Sequence, residues 1–164
     1  MLMPSYSRST RLCALDDLDV RLQALLDGYA EQHLLGDLRE SARICCETHS
    51  VPLQRSRRGL FRRRASASTA VENRAAAVVT DTLVVIVLVR MDGESVRLGA
   101  RLADAVLEGV NPRVYAGETG VFVHARWLGH GEASSYLMPL DSGSDGQAFL
   151  ARLRDLTVAA RTRP

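Results

Sequence analysis

The chain has 164 residues, a formal net charge of +2, a 46% apolar share and a 24% charged share. Those totals predict one globular domain, long enough to bury a core without disulfides. The longest apolar run, Leu83 to Val89, falls far short of the roughly 20 residues that a membrane-spanning helix needs.

The small net charge hides an asymmetry. Every basic residue apart from histidine is Arg, and six of them lie between Arg55 and Arg64, in a stretch with no acidic residue from Glu47 to Glu72. The three cysteines, Cys13, Cys45 and Cys46, are odd in number and two are adjacent. Neighbouring cysteines pair poorly because the ring is strained, so a reduced, cytoplasmic protein is expected. Met1-Leu2-Met3-Pro4 is not followed by a hydrophobic signal core, and secretion is not expected.

Residues 1–14 begin without periodicity and are expected to be disordered. Leu15, Leu18, Leu22, Leu25, Leu26 and Tyr29 then recur at spacings of three and four, which predicts a helix over 15–35. Asp16, Asp17 and Asp19 crowd its first turn, where the helix dipole favours them. A second short helical piece over 37–42 completes an N-terminal helical segment, 15–42.

Residues 43–164 read as a strand-rich domain closed by one helix. A first strand is expected over 44–53, with Ile44, Cys46, Thr48 and Val51 inward and Pro52 at an edge. An exposed basic loop, 54–69, follows it. The β-branched Val84, Val85, Ile86 and Val87 favour a buried strand over 83–90, paired with 75–80. Asp92-Gly93 signals a hairpin into 95–102. Residues 103–110 fit a helix or a strand equally. Strands are expected at 113–116, 119–127 and 133–140; in the second of these Val121, Val123 and Ala125 alternate with Phe122, His124 and Arg126. Ser144 and Gln147 have capping-box spacing, and Phe149, Leu150, Leu153, Leu156 and Ala160 form one stripe of a closing helix over 144–162.

Few motifs carry chemistry. The basic cluster Arg55, Arg57, Arg58, Arg62, Arg63 and Arg64 encloses Leu60 and Phe61. That combination suits an anionic membrane surface, with the apolar pair inserted; its plain alternative is a solvated loop. Arg63-Arg64-Ala65-Ser66 has the form of a basophilic kinase site, a match too short to be specific. Nucleic-acid binding is disfavoured by the modest net charge and the few aromatic residues. Cys45, Cys46, His49, His124 and His130 lack the paired spacing of a zinc site, so no metal is expected. Asp141 to Gly146 opens like a calcium loop, but Arg152 stands where the twelfth-position carboxylate is required. With no Gly-x-Ser-x-Gly, His-Glu-x-x-His or P-loop pattern, no catalytic residue and no cofactor are assigned. Cys45 and Cys46 are expected to point to opposite strand faces, one buried and one exposed. Trp127 and Tyr136 are expected to be packing residues.

Seven strands, over 44–53, 75–80, 83–90, 95–102, 104–110, 119–127 and 133–140, followed by a helix over 144–162, resemble the pleckstrin-homology-like superfold. The resemblance is one of topology. It implies an α+β fold, a seven-stranded antiparallel, partly open barrel with a C-terminal capping helix, to which this chain adds an N-terminal helix that packs beside the barrel or mediates a homodimer. It also implies that 54–69 is the loop between the first two barrel strands, with Arg55, Arg57, Arg58 and Arg62 as headgroup contacts. The expected function is a non-enzymatic binding or scaffold module for a protein or peptide partner. The alternatives are peripheral attachment to an anionic membrane through the basic loop, or weak nucleic-acid binding.

Overall fold

The computed structural model describes residues 6–53, 70–115 and 117–163. It is a mixed α+β fold of two antiparallel sheets and a C-terminal helix. The first sheet has five strands in sequential order: β1 (Tyr6–Leu12), β2 (Ile44–Pro52), β3 (Asn73–Val79), β4 (Leu83–Arg90) and β5 (Ser95–Arg101). The second has three, β6 (Val106–Gly109), β7 (Gly120–Arg126) and β8 (Ala133–Pro139). Helix α1 (Val20–Gln32) and the one-turn α2 (Leu38–Ser41) lie between β1 and β2, and α3 (Ser144–Thr162) ends the fold.

The five-stranded sheet is the middle layer, because both of its faces are apolar. Period-2 alternation sends Cys46, Ala77, Val79, Val84, Ile86 and Ala100 to one side. There they meet Val121, Val123 and Met138 of the three-stranded sheet and Phe149, Leu153 and Leu156 of α3. Cys45, Ala76, Val78, Val85 and Val87 face the other way, against Leu22, Leu26 and Tyr29 of α1. These helix residues sit one turn apart on a single stripe. The stripe is spent on the sheet, so α1 packs beside the strands. Gly99 of β5 makes room for it: a Cβ there would lie 2.7 Å from the Tyr29 ring.

Several expectations are corrected. Among the described residues eight strands, one more than the seven expected, form two antiparallel sheets that do not close into a barrel. Tyr6–Leu12 is not disordered but adds an edge strand to β2 through seven register pairs, Tyr6↔Pro52 to Leu12↔Cys46. Its outer edge is also capped: Thr10 N–H donates to Asp141 Oδ2 and Leu12 N–H to Asp145 Oδ2, each at 2.9 Å. Blocking free edge N–H groups in this way protects a sheet from pairing with other chains. The expected 15–35 helix is split. Leu15–Asp17 is a 3-10 turn, and Asp19 caps α1 by accepting from Arg21 N–H. Pro52 is not at a sheet edge, since β2 lies between β1 and β3. Its missing N–H falls on the β3 side, beyond the last β2–β3 pair, Ser50↔Asn73. Val51 faces away from the main core, where Ser50 is buried instead.

Residues 106–109 are strand, preceded by a 3-10 turn at Leu102–Asp104. The strand expected at 113–116 is a turn over the described residues 113–115, closed by Asn111 Oδ1 accepting from Arg113 N–H. The expected capping box does not form: Gly143 is the N-cap of α3 with no side-chain cap. Asp141 organises that turn, accepting from Gly143 N–H at 3.0 Å. Among the described residues no helix is long and apolar enough to cross a membrane.

Candidate functional site

Arg55, Arg57, Arg58, Arg62, Arg63 and Arg64, with Leu60 and Phe61, lie outside the described residues. What the fold does place is their two anchors. The segment leaves from the end of β2 and returns at the start of β3, strands paired side by side. The β4–β5 hairpin turn lies at the same end of the sheet, since Asn73 pairs with Arg90 and Val89 with Ser95. Val51, Leu53 and Met91 are exposed there, the last by 58%. Arg90 pairs with Asp92 at 2.7 Å and Glu94 at 3.0 Å, and His49 Nε2 lies 2.6 Å from Glu72. This end therefore presents apolar side chains among ion pairs already closed on themselves.

The second candidate surface is the outer face of the three-stranded sheet. Its inner side is filled by Val121, Val123 and Ala125, so the alternate residues of β7 turn outward. Register sets two cross-strand rows, Glu108–Phe122–Leu137 and Val106–His124–Ser135. Tyr115, from the preceding turn, packs on Phe122 with ring centroids 5.1 Å apart, and Phe122 stacks on His124 at 6.5 Å. Val106 is 54% exposed. His124 is held on both ring nitrogens, by Glu108 at 2.8 Å through Nε2 and by the Ser135 hydroxyl at Nδ1. An acid, an imidazole and a hydroxyl in line have the connectivity of a nucleophilic site. Ser135, however, lies on an open face between Ala133 and Leu137, whose side chains supply no oxyanion donor. The line of hydrogen bonds orients the imidazole at the centre of a small aromatic platform.

Two polar clusters hold the layers together. Glu47 of β2, its side chain 3% exposed, accepts from Arg74 at 2.8 Å, Arg11 at 3.0 Å and Asp19 N–H at 2.9 Å. This carboxylate pins the start of α1 to the sheet. Arg21 donates to the Asp19 carboxylate and holds it below the usual carboxylate range. Between the two sheets, buried Arg8 pairs with Glu118 and donates to the Thr119 carbonyl, both at 2.6 Å. This ties β1 to the connection before β7.

Cys45 and Cys46 do point to opposite faces, but both are buried; the expectation of one exposed thiol fails because both faces of the sheet are covered. Burial pushes the Cys46 thiol up. Among the described residues no group of three or more His, Cys, Asp or Glu could hold a metal ion. Trp127 is buried and meets Tyr136 edge-on at 6.5 Å, and burial pushes the Tyr136 phenol up to about 12. The outward turn of Phe122 and His124 was legible from alternation. Glu108, Ser135 and Tyr115 join them through strand register, and Arg11, Arg74 and Asp19 reach Glu47 from separate elements, so no local signal marks them.

Comparison with protein-family models, with curated proteins and with solved structures found no match to this chain.

Proposed function

We propose that this protein is a non-enzymatic binding module of PH-like architecture, cytoplasmic, which docks a protein or peptide partner on the outer face of its three-stranded sheet. The PH-like reading is supported by strand order: β2 to β5 form one antiparallel run, β6 to β8 another, and α3 packs against the core between them. The partner reading rests on one observation. The five-stranded sheet has both faces covered, whereas the outer face of the three-stranded sheet carries exposed Val106 beside half-buried Tyr115, Phe122 and Leu137, none of which belongs to either buried core cluster. An apolar, aromatic patch rimmed by charge is the composition of a docking surface. A photo-crosslinking side chain at Val106 should capture a discrete partner in cells. The capture should be lost when Phe122→Ser and Leu137→Ser are added in a variant that stays folded. Crosslinks indifferent to that pair would overturn the reading.

A second reading is favoured by the far end of the other sheet. There the arginine-rich segment emerges beside exposed Val51, Leu53 and Met91, apolar groups placed to enter a bilayer interface while Arg55, Arg57, Arg58 and Arg62 meet its phosphates. Cosedimentation with phosphatidylserine vesicles should exceed that with phosphatidylcholine, persist at physiological salt and vanish in Arg58→Glu/Arg63→Glu. Equal sedimentation of the variant and the wild type would eliminate this mode.

A further inference from the structure

We propose that Cys13 and Cys45 form an oxidation site, a reversible disulfide that staples β1 to β2 across the helices between them. The geometry is set by register. β1 and β2 pair as far as Leu12↔Cys46, and one further step puts Cys13 opposite Cys45, whose carbonyl accepts from Cys13 N–H at 3.2 Å. Directly opposed residues at such a hydrogen-bonded position have Cα atoms about 5.5 Å apart, within the commonest separation for disulfides. Cys45 belongs to the cluster beneath α1 and half-buried Cys13 packs against it, so both side chains lie on the same face of the strand pair. Cys46, next in sequence, points into the other core and cannot reach.

The two thiols differ in the way the chemistry needs. Cys13 is half-buried and open to a small oxidant, while Cys45 is 5% exposed. The neighbouring Cys45 thiol, with help from the Arg11 charge, lowers the Cys13 pKa. The proximity of Cys13, together with burial, raises that of Cys45. Cys13 is thus the thiolate that reacts first and Cys45 the resolving thiol beside it. The oxidant class is a hydroperoxide. The Cys13 thiolate attacks hydrogen peroxide and the O–O bond breaks, leaving a sulfenic acid and a hydroxide that leaves as water after protonation. The Cys45 sulfur attacks the sulfenic sulfur. An S–S bond forms, the S–O bond breaks, and hydroxide departs with the Cys45 proton as a second water. Two thiols and one peroxide become one disulfide and two waters.

The staple would close a loop of about thirty residues that carries α1 and α2. It would fix an edge strand whose outer side is already tied to Asp141 and Asp145.

The test uses the full-length protein, treated with hydrogen peroxide under native conditions and then alkylated after unfolding. One of the three thiols should remain. A tryptic linkage should join the peptide Leu12–Arg21 to the peptide Ile44–Arg55 and persist in Cys46→Ala, which separates Cys45 from its neighbour. Oxidation should raise Tm by roughly 5–15 °C, dithiothreitol should reverse the rise, and Cys13→Ser, a change at a half-buried position, should show neither linkage nor shift. Three reactive thiols after treatment, a linkage through Cys46, or an unchanged Tm in the linked protein would each overturn the proposal.

Discussion

Replacing Glu47 by Ala tests whether the cluster at the start of α1 holds the helix to the sheet. Three donors converge on this carboxylate: Arg74, Arg11 and the Asp19 N–H. Removing one member of a fully buried pair costs about 3–5 kcal/mol, but that figure does not apply unmodified. The Arg11 and Arg74 side chains remain 49% and 34% exposed, so water re-solvates them and each pair counts closer to a surface one. The Asp19 N–H is less well placed to recover a partner, and an unmade bond of that kind costs about 1–3 kcal/mol. The expected destabilisation is therefore about 2–3 kcal/mol, or a fall in Tm of roughly 4–12 °C for a chain of this size. Urea unfolding of Glu47→Ala, Arg74→Ala and the double variant isolates the pair. The coupling should be about 1 kcal/mol, with Arg74→Ala alone the milder change, because Arg11 and Asp19 still satisfy Glu47. Additive single losses, or a Glu47→Ala Tm within a degree of wild type, would refute the reasoning.

Three further outcomes follow from the same geometry. Gly120→Ala should destabilise the fold by about 2–3 kcal/mol in urea, because φ there is +139° and a Cβ would sit 2.2 Å from the Met138 carbonyl oxygen; an unchanged midpoint would show that the β7–β8 backbone yields freely. Leu153→Asp places a carboxylate in the main core, where Leu153 is fully buried. It should abolish cooperative thermal unfolding rather than fray the end of α3, and a wild-type Tm would contradict that. Asp19 titrates below its ordinary value because Arg21 bonds its charged form. Its contribution is present above about pH 4 and lost as pH falls through the lower folded value; the Tm gap between wild type and Asp19→Asn should accordingly narrow from pH 7 to pH 3, and a gap of constant size would reject the linkage.

Local chemistry and period explain most of the elements that were legible. The β-branched run Leu83–Arg90, the Asp92-Gly93 turn and the Phe149/Leu153/Leu156 stripe each carry their own conformational preference, and each is found where expected. The misses are non-local. Tyr6–Leu12 has no apolar alternation of its own, because its partners are supplied by β2 on one edge and by two aspartates on the other. The helix cap at Ser144 failed because α3 starts one residue earlier: the Gly143 carbonyl accepts from Gln147 N–H at 3.0 Å, which puts Ser144 inside the first turn. On the outer face of the three-stranded sheet, alternation alone exposes Phe122 and His124, while Glu108 and Ser135 arrive from strands that nothing in the chain near His124 identifies.

By itself the sequence determined that 83–90 extends, that 144–162 coils, and where the arginines concentrate, because those depend on side-chain shape and on spacings of two to four residues. It also determined that Cys45 and Cys46 must part to opposite faces. The tertiary structure alone decided that both of those faces are covered. It set β1 against β2 so that Cys13 meets Cys45, brought three donors to Glu47, and left one sheet face without a second layer. Those outcomes depend on which strands become neighbours and in what register, a choice made by burying two apolar faces at once across residues distant in the chain.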